Sequence, residues 1–146
     1  MTDSIPLQFR KGLIPLLAAI QGMGSCELAR AYPVGDNETK PVCIVNHMVS
    51  KNDAVDTSHT IIRHRTPIII SLFFDVIPTG PSLDEQADPY RQAVHAVMNG
   101  AARNLPGVQG IFYEQEDLSP DGDVGRIDFV YTVLQRTSLT DLTQPL

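Results

Sequence analysis

Between Asp117 and Asp128 the chain spaces oxygen-bearing side chains like a calcium loop: Asp117, Ser119 and Asp121 at positions 1, 3 and 5, Gly122 at 6, Val124 at 8 and Asp128 at 12. Such a loop needs a helix on each side and a bidentate glutamate at its twelfth place. Here the flanks Ile111-Phe112-Tyr113 and Ile127-x-Phe129-x-Tyr131 alternate as strands do, so the segment reads as an acidic hairpin. Glu114, Glu116, Asp117, Asp121 and Asp123 fall together without a basic residue, as a solvated loop or a negative patch that repels phosphate. The histidines are His47, His59, His64 and His95. His59 and His64, five apart in an extended chain, lie on opposite faces, and His47 and His95 have no ligand-spaced neighbour, so no zinc set forms from spacing alone. A Cys43–His47 nucleophile pair is conceivable, yet Cys43 sits inside the apolar run Pro-Val-Cys-Ile-Val, where a thiol is packing material. Gly22-Met23-Gly24 follows a helix rather than opening one, the wrong context for a phosphate loop. The one basic cluster is Arg63-His64-Arg65. It reads either as a solvated strand end or as a contact arm, since Arg outnumbers Lys by 8 to 3 and Arg is favoured at interfaces.

These groups sit in a chain of 146 residues, 42% hydrophobic and 19% charged, with a net charge of −6. That length suits a single domain able to fold without disulfide or metal. The negative charge argues against a sequence-independent grip on nucleic acid, which requires a basic surface. Ordinary apolar content in periodic blocks argues against disorder. Two cysteines and no tryptophan fit neither a disulfide scaffold nor a zinc ribbon. The longest apolar runs, 13–20 and 67–74, are too short to span a membrane, and no basic segment followed by an apolar run marks a leader. The expectation is a soluble protein made in a cytoplasm, its thiols reduced.

The elements that must position the groups follow from periodicity. Asp3 and Ser4 offer a cap, and Pro6 fits the first turn of a helix carrying Phe9, Leu13, Leu16, Leu17 and Ile20 on one stripe. Leu7, Ile14 and Ala18 form a second strip beside it, and Pro15 predicts a kink. A helix apolar on over half its girth calls for two partners, with two alternatives: another subunit as one of them, or a helix well buried in its own domain. Residues 41–50 read as a strand, Lys51–Ser58 as a polar loop and 60–78 as a long extended run, with a bulge, bend or edge at Pro67. The part before Pro67 is expected to project and the apolar part after it to hold the sheet centre. After a loop at 80–88, Asp88-Pro89 predicts the start of a second helix carrying Tyr90, Val94, Val97, Met98, Ala101, Ala102 and Leu105, with Gln92, His95, Asn99 and Arg103 facing away and Pro106-Gly107 ending it. Two strands follow, 110–116 and 124–137, joined through a type I turn at Ser119-Pro120-Asp121-Gly122. The last strand alternates Ile127, Phe129, Tyr131 and Val133 against Arg126, Asp128, Thr132 and Arg136. A short extra strand near 28–33 is possible in this order. The fold class is therefore α+β, a largely antiparallel sheet of four to five strands with two helices packed on one face. The single domain spans 1–137, and the polar tail 138–146 is expected to order against a neighbour.

In element order and texture the chain resembles the tail-terminator proteins of long-tailed bacteriophages, or a neighbouring neck or tail-completion subunit. The residues that carry the likeness are the apolar helix 7–20; the strand Lys40-Pro41-Val42-Cys43-Ile44-Val45; the apolar strand 68–76; the helix entry Asp88-Pro89-Tyr90-Arg91-Gln92-Ala93-Val94; the exit Leu105-Pro106-Gly107-Val108; and Asp128-Phe129-Val130-Tyr131-Thr132-Val133 with the tail 137–145. The long run 60–67 departs from the general pattern. The resemblance implies a structural, non-enzymatic subunit of the virion tail or neck. It would be assembled in the host cytoplasm as a homohexameric ring that binds the tail-tube protein on one face and a head–tail connector or neck protein on the other. DNA would pass through without specific binding, and neither a cofactor nor a metal is implied. The expected subunit contacts are Arg63, His64, Arg65, Leu7, Ile14, Arg136, Leu139 and Leu142, with Glu116, Asp117, Asp121 and Asp123 facing the channel or the next ring. The competing readings are another head-completion adaptor and a small soluble enzyme using Cys43 and His47.

Overall fold

The computed structural model describes residues 2–30, 33–35, 37–47, 51–53, 61–138 and 140–145, with the backbone alone at 51–53 and 121. Helix α1 (Ile5–Ala18) starts at Ser4 with Pro6 in its first turn and runs through Pro15 to its end. Strand β1 (Ser25–Leu28) lies parallel to β2 (Val42–His47), and every other pairing in the sheet is antiparallel. The long strand β4 (Ile61–Asp75) pairs with β6 (Val124–Ser138) along all fifteen of its residues. On its other side β4 pairs with β2 at 68–73 and with β3 (Lys51–Asp53) at 63–65. Strand β5 (Val108–Asp121) closes the order β1-β2-β4-β6-β5. Helix α2 (Leu83–Asn99) and a 3-10 turn (Ala101–Asn104) connect β4 to β5.

The fold class is as expected from sequence, a mostly antiparallel α+β sheet under two helices, with the short β3 as a sixth strand. Strand alternation explains the one-sided core. His64, Thr66, Ile68, Ile70, Leu72 and Phe74 on β4 and Gly125, Ile127, Phe129, Tyr131, Val133, Gln135 and Thr137 on β6 all point to the helices and are buried. Phe9, Leu13 and Leu17 of α1 and Ala87, Val94 and Met98 of α2 complete that core. Burial of twelve large side chains there, at roughly 1.5–3 kcal/mol each, is the main force that holds the helices on the sheet.

Several sequence expectations are corrected. Pro67 neither bends nor ends β4. It sits opposite Thr132 of β6, while on its other side it falls between His47↔Ile68 and Lys51↔Arg65, where β2 gives way to β3, so of the three expected outcomes a local edge among the described residues is the one found. The segment before it does not project alone, because β6 and β3 flank it. Lys51–Asp53 is strand rather than loop. Helix α2 begins earlier than Asp88: Ser82 caps it by accepting from the Glu85 N–H (3.3 Å) and donating to the Glu85 carboxylate (3.0 Å), an N-cap that outweighs the Pro89 signal. The turn between β5 and β6 is not at Ser119–Gly122. The strands stay paired to Asp121↔Val124, and Gly122 (φ 67°) with Asp123 makes a two-residue connection, a backbone that favours glycine at its first position.

The tail is held by its own chain. Ile5 N–H donates to the Leu142 carbonyl (2.8 Å), Gln8 Nε2 donates to the Thr143 carbonyl (3.0 Å), and Pro145 bridges to Thr137. Among the described residues no helix is long and apolar enough to cross a membrane.

Candidate interaction surface

The helices cover one face of the sheet and leave the other bare. On that outer face Ile44, Ile69, Val130, Thr132 and Leu134 are half-buried in a central band, and Phe112 on the adjoining β5 is 51% exposed. The register sets charge at both ends of this band. At one end β4 and β6 place Arg63 directly opposite Arg136, with Arg65 opposite Leu134 in the next outward row. These residues, with His64, Gln109 and Gln135, line a recess of about 190 Å³. A second recess, lined by Arg65, Phe112, Glu114, Thr132 and Leu134, opens on the same face. At the other end β5 and β6 place Asp117 directly opposite Asp128. Asp128 accepts from Ser71 Oγ (2.6 Å) and Arg126 Nε (3.1 Å), and Arg126 lies 5.4 Å from the centre of the Phe73 ring. Asp117, Asp123 and Asp75 are exposed at this end.

The expected contact residues thus divide between two faces. Arg63, Arg65 and Arg136, 73 residues apart at the extremes, come together on the outer face. His64 does not join them: it turns inward, is 6% exposed and shares a 2.8 Å hydrogen bond with Thr137 Oγ1. Burial pushes its pKa down, favouring the neutral imidazole. Leu7 and Ile14 are half-buried on α1, on the helix side, and Leu142 beside α1 is 44% exposed. Leu139 lies outside the described residues, as does His59.

The acidic run divides in the same way, because it is strand and not loop. Glu116 points to the helix side, where Arg91 Nε donates to both its carboxylate oxygens (2.9 Å each). Arg91 also donates to Asp88 (2.6 Å) and Asp84 (2.7 Å), so one guanidinium gathers three carboxylates and ties α2 to β5. These bonds, Glu116 first, hold Arg91 more firmly charged than usual. Asp117 and Asp123 are exposed; of Asp121 only the backbone is described. The calcium-loop reading fails on geometry. Asp117 and Ser119 stand in an extended strand rather than curling round one point, and no group of three metal-ligating side chains occurs among the described residues.

The nucleophile reading fails as well. Cys43 and His47 are four residues apart on β2, about 13 Å along a strand, too far for proton transfer. Cys43 is fully buried, its thiol donating toward Cys26 and held protonated by that bond and by burial. The two cysteines stand side by side across the parallel β1–β2 pair, which lowers the Cys26 pKa. This pairing, and the Arg91 hub, escaped sequence reading. The spacing of Asp84, Asp88 and Arg91 on one helix face is a usable signal for the hub, whereas nothing local points to Glu116. His95, assigned to the outward side of α2, is instead half-buried, with its Nδ1 hydrogen-bonded to Tyr131 OH and its ring against Tyr113 and Phe129.

No family model and no curated protein matches the chain. Among solved structures it is similar to a chain from the virion of a native gene transfer agent particle, at 16% identity and a TM-score of 0.49 over 92% of each chain. A likeness of that size does not carry a function across.

Proposed function

We propose that this chain is a structural subunit of a phage-type particle, one that forms a hexameric ring, closes the growing tail tube and presents the surface to which the head joins. The observation that carries the reading is the one-sided sheet. Both helices pack on one face, while the other keeps an apolar band between an arginine row and an aspartate row. A ring subunit needs two complementary patches, so that each copy offers its neighbour what it also receives. The sequence resemblance to tail-terminator subunits, from the apolar opening helix to the 128–133 strand, supports the same reading. The net charge of −6 suits a channel wall along which DNA slides without being held. The tail-tube protein on one side and a neck or connector protein on the other are the partners, with no cofactor. The enzymatic alternative loses the Cys43–His47 pair, whose members stand about 13 Å apart along β2.

The test is co-expression with the tail-tube protein of the same genome. Tubes of finite length bearing a six-fold ring at one end are expected. Tubes that grow without limit, with no bound ring, would overturn the assignment.

A further inference from the structure

Each of the two charged rows of the outer face sets like charges opposite one another within one molecule. Arg63 opposite Arg136 and Asp117 opposite Asp128 are like-charge pairs at directly facing positions of an antiparallel ladder, an arrangement that destabilises a sheet. Among the described residues neither Arg63 nor Arg136 has a carboxylate within salt-bridge range, although Asp53 stands opposite Arg63 in the β3 register. The aspartate row is better supported, since Ser71 and Arg126 both reach Asp128, but Asp117 remains exposed. One row is positive and the other negative, and they stand near opposite ends of the same long ladder. At about 3.3 Å per residue, the eight residues from Arg136 back to Asp128 along β6 put the two rows about 26 Å apart, so no motion of a folded chain brings its own rows together.

We propose that the arginine row of one copy receives the aspartate end of the next, Asp117 and Asp123 entering the recess lined by Arg63, Arg65 and Arg136. This rests on the ring reading above and names its contact. Each mating relieves the Arg63–Arg136 pair and gives Asp117 a cation, Asp128 already holding Arg126. The sheet twist, accumulated along fifteen residues, turns the two end rows out of one plane, so the contact is made once per neighbour and propagates head to tail until the ring closes. DNA phosphate is the weaker occupant for the arginine row, because the subunit as a whole repels a polyanion.

The experiment is a charge swap on the full chain, read by native mass spectrometry and analytical ultracentrifugation, with circular dichroism to confirm folding. Arg63→Glu with Arg136→Glu should weaken assembly at least tenfold, and Asp117→Arg with Asp123→Arg should do the same. Mixing the two variants, or placing all four changes in one chain, should restore the wild-type mass, and wild-type assembly should loosen as salt rises. A wild-type oligomer unmoved by either swap overturns this contact and leaves the ring reading standing. A wild-type chain that stays monomeric overturns both. A closed two-fold dimer contradicts the head-to-tail arrangement, and loss of DNA binding in the arginine variant with no change in assembly assigns the row to phosphate instead.

Discussion

Gly125 lies opposite Phe74 in the β4–β6 ladder, and a Cβ there would stand less than 3 Å from the aromatic ring. Glycine is therefore required by close approach, although Gly125 has no unusual backbone angle. Gly125→Ala is expected to cost about 1–3 kcal/mol by overpacking, read as a lower urea midpoint, and Phe74→Leu in the same chain should recover part of the loss. Additive destabilisation by the two changes would contradict this account. His64 gives a pH prediction of definite sign. Its folded pKa lies below the ordinary 6.5, so as pH falls through that value the unfolded chain takes up the proton first. Stability contributed by the neutral imidazole is complete above pH 6.5 and is lost below it. The urea midpoint should fall between pH 7 and 5, and His64→Gln should flatten the profile. His47 shifts the same way, through partial burial and then Arg10, so His47→Gln serves as the exposed comparison. A profile unchanged by His64→Gln would remove His64 as the cause.

At the scale of elements, periodicity read well where one face was buried and badly where local signals competed. The alternation of β6 placed Ile127, Phe129, Tyr131 and Val133 correctly on the core side, because hydrophobic burial decides a strand's facing. Pro67 marks a local edge, one of the outcomes its missing N–H allows, whereas Pro120 suggests a turn and lies within β5, because the cost of a missing N–H depends on whether a partner strand stands at that level, which no single sequence displays. The same limit hid the Arg91 hub, since Glu116 reaches α2 only through the tertiary fold. That hub yields a test at its own scale. Arg91→Met and Glu116→Gln, each alone and then together, should show a coupling of about 1 kcal/mol in a double-mutant cycle, the size expected for a charge-assisted bidentate pair with some solvent access. Zero coupling would mean that α2 docks on β5 by its apolar face alone.

For the whole molecule, the sequence made the fold class legible and left the surface illegible. Arg63 and Arg136 are both basic and 73 residues apart, and only the β4–β6 register brings them face to face. Likewise the acidic run looked like a single loop until strand alternation divided it, sending Glu116 inward and Asp117 outward. A sheet covered on one side and charged at both ends of the other is the basis of the proposed contact between copies, and the proposed ring is the central claim. Native mass spectrometry of the purified chain at low salt, over a range of concentrations, measures it directly. The account predicts a closed species at six times the 16.0 kDa subunit mass, with six-fold rings in negative stain. A single 16.0 kDa species at every concentration and salt would contradict it.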